Sequence, residues 1–190
     1  MGLILKQDLI NVEQYHKMFE EGIITERDKT ELINGNIIPM SPKGSRHNFF
    51  INRLNRLFGK ILGDEILVCI QNSIQLDNLS EPEPDVVLCM GPEERYWDHN
   101  PSPEEVFLVV EVAHSSLAFD KKIKIPLYAQ SGIPEVWIID VEEKQLIVAK
   151  NPQNGRYQDL ATYRGSDTFE CKLGESTLPI YVEKILEKRI

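Results

Sequence analysis

Apolar positions along the chain repeat with two different periods, and each period predicts its own kind of element. Steps of three and four residues predict helices, and alternation or short unbroken runs predict strands. A helix is expected over Val12 to Glu21, capped by Asn11, with Tyr15, Met18 and Phe19 on one face. Ile51, Leu54, Leu57, Phe58, Ile61 and Leu62 form an apolar stripe on a second helix, Ser45 to Leu62. Between the two, ELINGNIIPM at Glu31 to Met40 reads as a hairpin turning at Asn34-Gly35, a pair suited to positive φ. Strands are expected at Glu65–Ile70, Ser73–Leu76, Asp85–Met90, Val106–Val112, Glu135–Asp140, Gln145–Lys150, Arg156–Thr162 and Thr168–Leu173. VFLVVEV at Val106–Val112 is almost continuously apolar, as a central strand covered on both faces should be. A helix over Phe119 to Gln130 is stopped by Gly132 and Pro134, and a terminal helix is expected over Tyr181 to Lys188. Strand, helix, strand across 106–140 makes a βαβ-like crossover inside an α/β or α+β domain.

Composition narrows the class. With 190 residues, 42% hydrophobic and 27% charged, the chain is that of one soluble globular domain, and no linker or repeat divides 1–190. No apolar run approaches the roughly 20 residues of a membrane span. Met1–Leu9 lacks the pattern of a secretory signal. Cys69, Cys89 and Cys171 make an odd count without a CxxC, which points to reduced thiols in a cytoplasmic protein. The net charge of −9 opposes a general coating of nucleic acid but leaves room for a basic cleft on an acidic body. There is no GxxxxGK[ST] for nucleoside triphosphates, and His16, His47, His99 and His114 are too scattered to predict a structural zinc site.

Two acids stand where acids are costly. Glu111 interrupts VFLVVEV, and Asp85 opens DVVLCM directly after Pro84. A lone carboxylate in such a place must be protonated, paired or bound to a metal. If the two strands are neighbours the acids converge, and two converging carboxylates suit a hard divalent cation such as Mg²⁺. Lys121, Lys122 and Lys124 open the following helix. Lys124 is the candidate to re-enter the site, since Tyr128 four residues on shares its face. The plainer alternatives are Asp85 as a strand-initiating cap, Glu111 as half of a structural ion pair and the lysines as solvated surface. Arg53, Arg56 and Lys60 likewise fit a solvated helix face.

The strings EPEPDVVL and VVEVAHSSLAFDKKIKIPLYAQSGIPEVWIID, with ELINGNIIPMSP and His47 upstream, resemble the Uma2 family over roughly 10–150. These are restriction-endonuclease-like proteins of the PD-(D/E)xK nuclease superfamily. The resemblance implies a mixed central β-sheet flanked by helices. It implies that Asp85 and Glu111, with the Val112 carbonyl, hold Mg²⁺, with Mn²⁺ as a substitute. Ala113 stands where the ExK lysine would fall, and Lys124 matches a lysine moved to the next helix. Glu31 matches a further acid, for metal or water. His47 matches a family histidine, with a capping or surface role as its alternative. His114 departs from the family pattern, and Ser115 and Ser116 read as turn or cap residues.

The expected function is a Mg²⁺-dependent endonuclease cutting DNA, with Asp85, Glu111, Lys124 and Glu31 as catalytic residues. Lys43, Arg46, His47, Arg53 and Lys122 are the expected nucleic-acid contacts, with Arg56 on the same rim. A homodimer is expected, with the apolar C-terminal helix as a possible interface. The rival reading is a nuclease scaffold that binds nucleic acid or protein without cutting. RNA or another phosphodiester as substrate stays open.

Overall fold

A computed structural model describes residues 8–187. The Met1–Leu9 expectation therefore lies almost wholly outside the described residues, as does the Lys188 end of the expected terminal helix. In chain order the elements are α1 (Val12–Glu20), β1 (Thr30–Ile33), β2 (Asn36–Pro39), α2 (Ser45–Ile61), β3 (Ile66–Ile70), β4 (Val86–Met90) and β5 (Val106–Ala113). There follow α3 (Leu117–Phe119), a π-helical turn (Asp120–Lys124), α4 (Ile125–Gln130), β6 (Glu135–Asp140), β7 (Gln145–Gln153), β8 (Arg156–Tyr163), β9 (Thr168–Leu173), β10 (Ser176–Tyr181) and α5 (Val182–Leu186).

Six strands form one mixed sheet in the order β3-β4-β5-β6-β7-β8. Only β5 and β6 run parallel, joined by the crossover through α3 and α4. The other neighbours are antiparallel. Side-chain alternation along the central strands feeds two cores. Val86, Leu88, Leu108, Val110, Trp137 and Ile139 face one way, against α2, α5 and the β9–β10 hairpin. Val87, Cys89, Val109 and Val136 face the other way, with Leu127 and Tyr128 of α4. The molecule is thus a central sheet with helices on both faces, an α+β arrangement. No helix among the described residues is long and apolar enough to cross a membrane.

Several expectations need correction. Ser73–Leu76 is no strand. Its amides go to loop carbonyls, Ile74 N–H to Pro82 and Gln75 N–H to Pro101, because Pro82 and Pro84 supply no donors for a ladder. The terminal helix starts at Val182 rather than Tyr181, since Tyr181 closes β10. β10 is a strand that the sequence reading lacked. Pro179 is tolerated because β10 is half of an isolated two-stranded sheet with β9. α5 buries Val182, Ile185 and Leu186 within its own subunit, so that apolar face is not left over for a dimer interface. On α2 the buried stripe is Phe50, Ile51, Leu54 and Phe58, with Ile61 exposed at the frayed end.

Candidate active site

Asp85 and Glu111 come from neighbouring strands. β4 and β5 pair Val86 with Val110 and Val87 with Val109. One more step of that register, past the last ladder pair, sets Asp85 opposite Glu111 on the same face, where facing side chains approach most closely. Asp85 sits just ahead of β4 because Pro84 cannot donate to the ladder. Both acids are buried on the floor of a cleft of about 530 Å³.

Each carboxylate is held by one oxygen. Asp85 Oδ2 accepts from the Val112 N–H at 2.8 Å and lies 2.9 Å from His47 Nε2. Among the described residues, Asp85 Oδ1 has only the Lys43 ammonium, at 3.9 Å. Burial works against the ionised form of Asp85, but His47, the Val112 amide and Lys43 outweigh it and hold its pKa below the ordinary carboxylate range. Glu111 Oε1 accepts from Tyr128 OH at 2.6 Å and from Lys124 Nζ at 3.1 Å. For Glu111 burial prevails: its pKa is pushed up to about 8, against the pull of Lys124 and with help from Asp120, Asp85 and Glu31. Burial opposes the charge of Lys124 too, yet Glu111 and Glu31 overturn that and hold the ammonium above its usual range.

Lys124 reaches the floor because the helix carrying it is not regular. The expected single helix over 119–130 is broken into α3, a π-helical turn and α4. Pro126 has no N–H for the usual i→i−4 bond, and the wide turn absorbs that loss. Asp120 and Lys124, at the two ends of the turn, are both buried and both line the cleft. Asp120 accepts from Ser116 Oγ at 2.7 Å, and burial raises its pKa. Sequence reasoning missed this acid, though its i,i+4 spacing to Lys124 was a visible signal. Glu83 was missed as well; it holds Lys43 at 3.1 Å.

The first hairpin brings Glu31 to the same place. Its Oε2 lies 3.1 Å from Lys124 Nζ and accepts from the Glu83 N–H at 3.2 Å. Lys43 and Arg46 line the cleft mouth, and His47 its wall. Arg53 stands elsewhere. It donates to the Ile185 carbonyl at 3.1 Å and stacks on Phe49, on the α5 side of α2. Lys122 is exposed and, like Arg53, is not part of the cleft wall.

The donor set suits a hard divalent cation. Among the described residues, Asp85 Oδ1 and Glu111 Oε2 accept no hydrogen bond, which leaves one free oxygen on each of two facing carboxylates. No three His, Cys, Asp or Glu side chains among those residues surround a common point. A cation here would have the two carboxylates, the Val112 carbonyl and water, a set in keeping with Mg²⁺.

A mixed sheet with two neighbouring acids and a crossover lysine is the arrangement that the resemblance to restriction-endonuclease-like proteins implies. A family model for Uma2, described as "Putative restriction endonuclease", matches residues 12–180, and the chain belongs to that family. The fold is also that of a solved structure described as a "putative nuclease belonging to DUF820" from Anabaena variabilis ATCC 29413. The two agree with a TM-score of 0.66 at 16% identity, over 93% of this chain and 97% of the other. No curated protein matches the chain.

Proposed function

We propose that the protein is a Mg²⁺-dependent endonuclease that hydrolyses phosphodiester bonds of DNA. The observation that carries the reading is that Asp85 and Glu111, one register step beyond the Val86–Val110 pair, line one cleft, with the Lys124 ammonium 3.1 Å from Glu111. Asp85, Glu111 and the Val112 carbonyl would hold the ion, which, when bound, supplies Lewis-acid polarisation of a phosphate and a more acidic water. The chain's own groups do the rest. His47 and the Val112 amide fix Asp85 Oδ2, so that Oδ1 faces the cleft. Tyr128 fixes Glu111 in the same manner. Lys124 is held by two carboxylates and has a third N–H left, for an incoming water or a phosphate oxygen. Glu31 keeps that ammonium charged and in place.

The test is nicking of supercoiled plasmid by purified protein with Mg²⁺ and with EDTA, beside Asp85→Asn and Glu111→Gln. Nicking by the parent in Mg²⁺, lost by at least about 100-fold in both variants, is the expected result. Equal nicking by all three would remove the reading. Calorimetric titration with Mn²⁺ separates the rival, a scaffold that binds without cutting, which takes up no cation. We further propose a cytoplasmic homodimer, for which light scattering should give twice 21.9 kDa.

A further inference from the structure

The N-terminus of α2 opens onto the cleft without a cap. Gly44 at the N-cap has no side chain to accept a hydrogen bond, and the first turn contains no acid. The backbone N–H groups of Ser45, Arg46 and His47 find no acceptor among the described residues. α1 shows the usual remedy, with Asn11 and Gln14 forming a full capping box. Uncapped N–H groups and the dipole of a 17-residue helix make this end attractive to anions.

Two independent features mark the same end. His47, 8% exposed and in the cleft wall, has a buried Nδ1 with no partner among the described residues, although its Nε2 is used on Asp85. Arg46 Nη1 and His114 Nε2, from different elements bordering the cleft, converge on a single oxygen, Glu142 Oε1, at 3.1 and 2.9 Å. Glu142 belongs to the β6–β7 turn, and its pairs are largely exposed. Such surface pairs are worth little and are readily exchanged. A carboxylate oxygen between an arginine and a histidine, beside an open helix end, stands where a phosphate oxygen would fit.

We propose that this end of the cleft is a phosphate subsite. The N–H groups of Ser45 and Arg46, with the Arg46 and His114 side chains, hold a phosphodiester next to the scissile one, and Glu142 fills the place until a nucleic-acid strand displaces it. The inference rests on the phosphodiesterase reading and names the contact by which that cleft takes up its substrate.

The experiment measures binding in EDTA, where no cleavage occurs. A labelled oligothymidylate of about ten residues is titrated at low salt and followed by fluorescence anisotropy. Glu142→Gln removes the resident carboxylate and should tighten binding about three- to tenfold. Arg46→Ala and His114→Ala should each weaken it by a similar factor, and Arg46→Ala should also lower the salt slope by about 0.7. Ser45→Asp gives opposite signs in two readouts: an acid in the first turn raises the melting temperature yet weakens binding. Inorganic phosphate should compete with the oligonucleotide on the parent and on Glu142→Gln, but not on Ser45→Asp. No binding by the parent, affinity unchanged across the variants, or weaker binding by Glu142→Gln each overturns the subsite. The expected binding pattern without plasmid nicking keeps the subsite and removes the nuclease reading. Nicking with binding indifferent to all four variants does the reverse.

Discussion

Glu111 is held at a cost to folding. Its carboxyl titrates near 4.5 in an unfolded chain and at about 8 in the fold, so the fold takes up a proton between those values. The contribution to stability is complete below about 4.5 and is lost as pH rises through about 8. Melting in EDTA should therefore show Glu111→Gln gaining on the parent as pH goes from about 6 to about 9. A constant gap would mean that Glu111 does not titrate there. Cation binding must expel the same proton, so Mn²⁺ affinity should climb over the same interval, by up to about tenfold per pH unit. Lys124→Ala is the opposite case. It leaves the buried Glu31 carboxylate without its cation and should destabilise the fold by about 3–5 kcal/mol, read by urea titration at neutral pH. These two residues were legible in the sequence, because an acid inside VFLVVEV has to be explained and Lys124 shares a face with Tyr128. Asp120 was legible only through its i,i+4 spacing to Lys124, since its immediate neighbours, Lys121 and Lys122, read as solvated surface.

At the scale of elements, the β1–β2 hairpin is the part that delivers Glu31. Asn34 and Gly35 both have positive φ, 49° and 73°, as the Asn-Gly pair implied. A Cβ on Gly35 would stand 2.6 Å from Leu9 Cβ as well as in strained backbone. Gly35→Ala should cost about 1–3 kcal/mol in stability; an unchanged melting temperature would show that the turn relaxes freely. The π-helical turn was beyond the reach of periodicity. A count of apolar spacings sees one helix over 119–130, and only Pro126 hints that the hydrogen-bond ladder must widen. Deleting Ile123, 40% exposed on that turn, should restore an ordinary helix and rotate Asp120 and Ser116 by about 100° relative to Lys124. The protein should stay folded by circular dichroism while plasmid nicking falls by at least about 100-fold. Retained nicking would show that the wide turn has no part in placing these groups.

For the molecule as a whole, the central strands were the clearest prediction, because a strand covered on both faces needs an unbroken apolar run. The β9–β10 hairpin was only half visible: it covers one core from the side, and its outer residues are polar. The expected basic rim is divided for a physical reason. Arg53 is drawn to the carbonyl groups of the C-terminal helix, whereas Lys43 and Arg46 stay at the cleft but sit beside Glu83 and Glu142. A chain of net charge −9 leaves few cations without an acid nearby. The α2 face of the sheet should be the sturdier part. Phe58, fully buried with its ring 6.0 Å from that of Trp137, should cost about 3–5 kcal/mol on replacement by Ala, measured by calorimetric melting.

Trp137 is sealed inside that core, while Trp97 is 87% exposed on the short segment after β4. The two indoles are therefore a contrasted pair of optical probes, one shut away from solvent with its N–H on Glu135 and the other in water. Acrylamide should quench Trp97 and spare Trp137. A Trp97→Phe protein would then carry a single tryptophan, excited beyond the tyrosine band, that reports the opening of the core and ignores the surface.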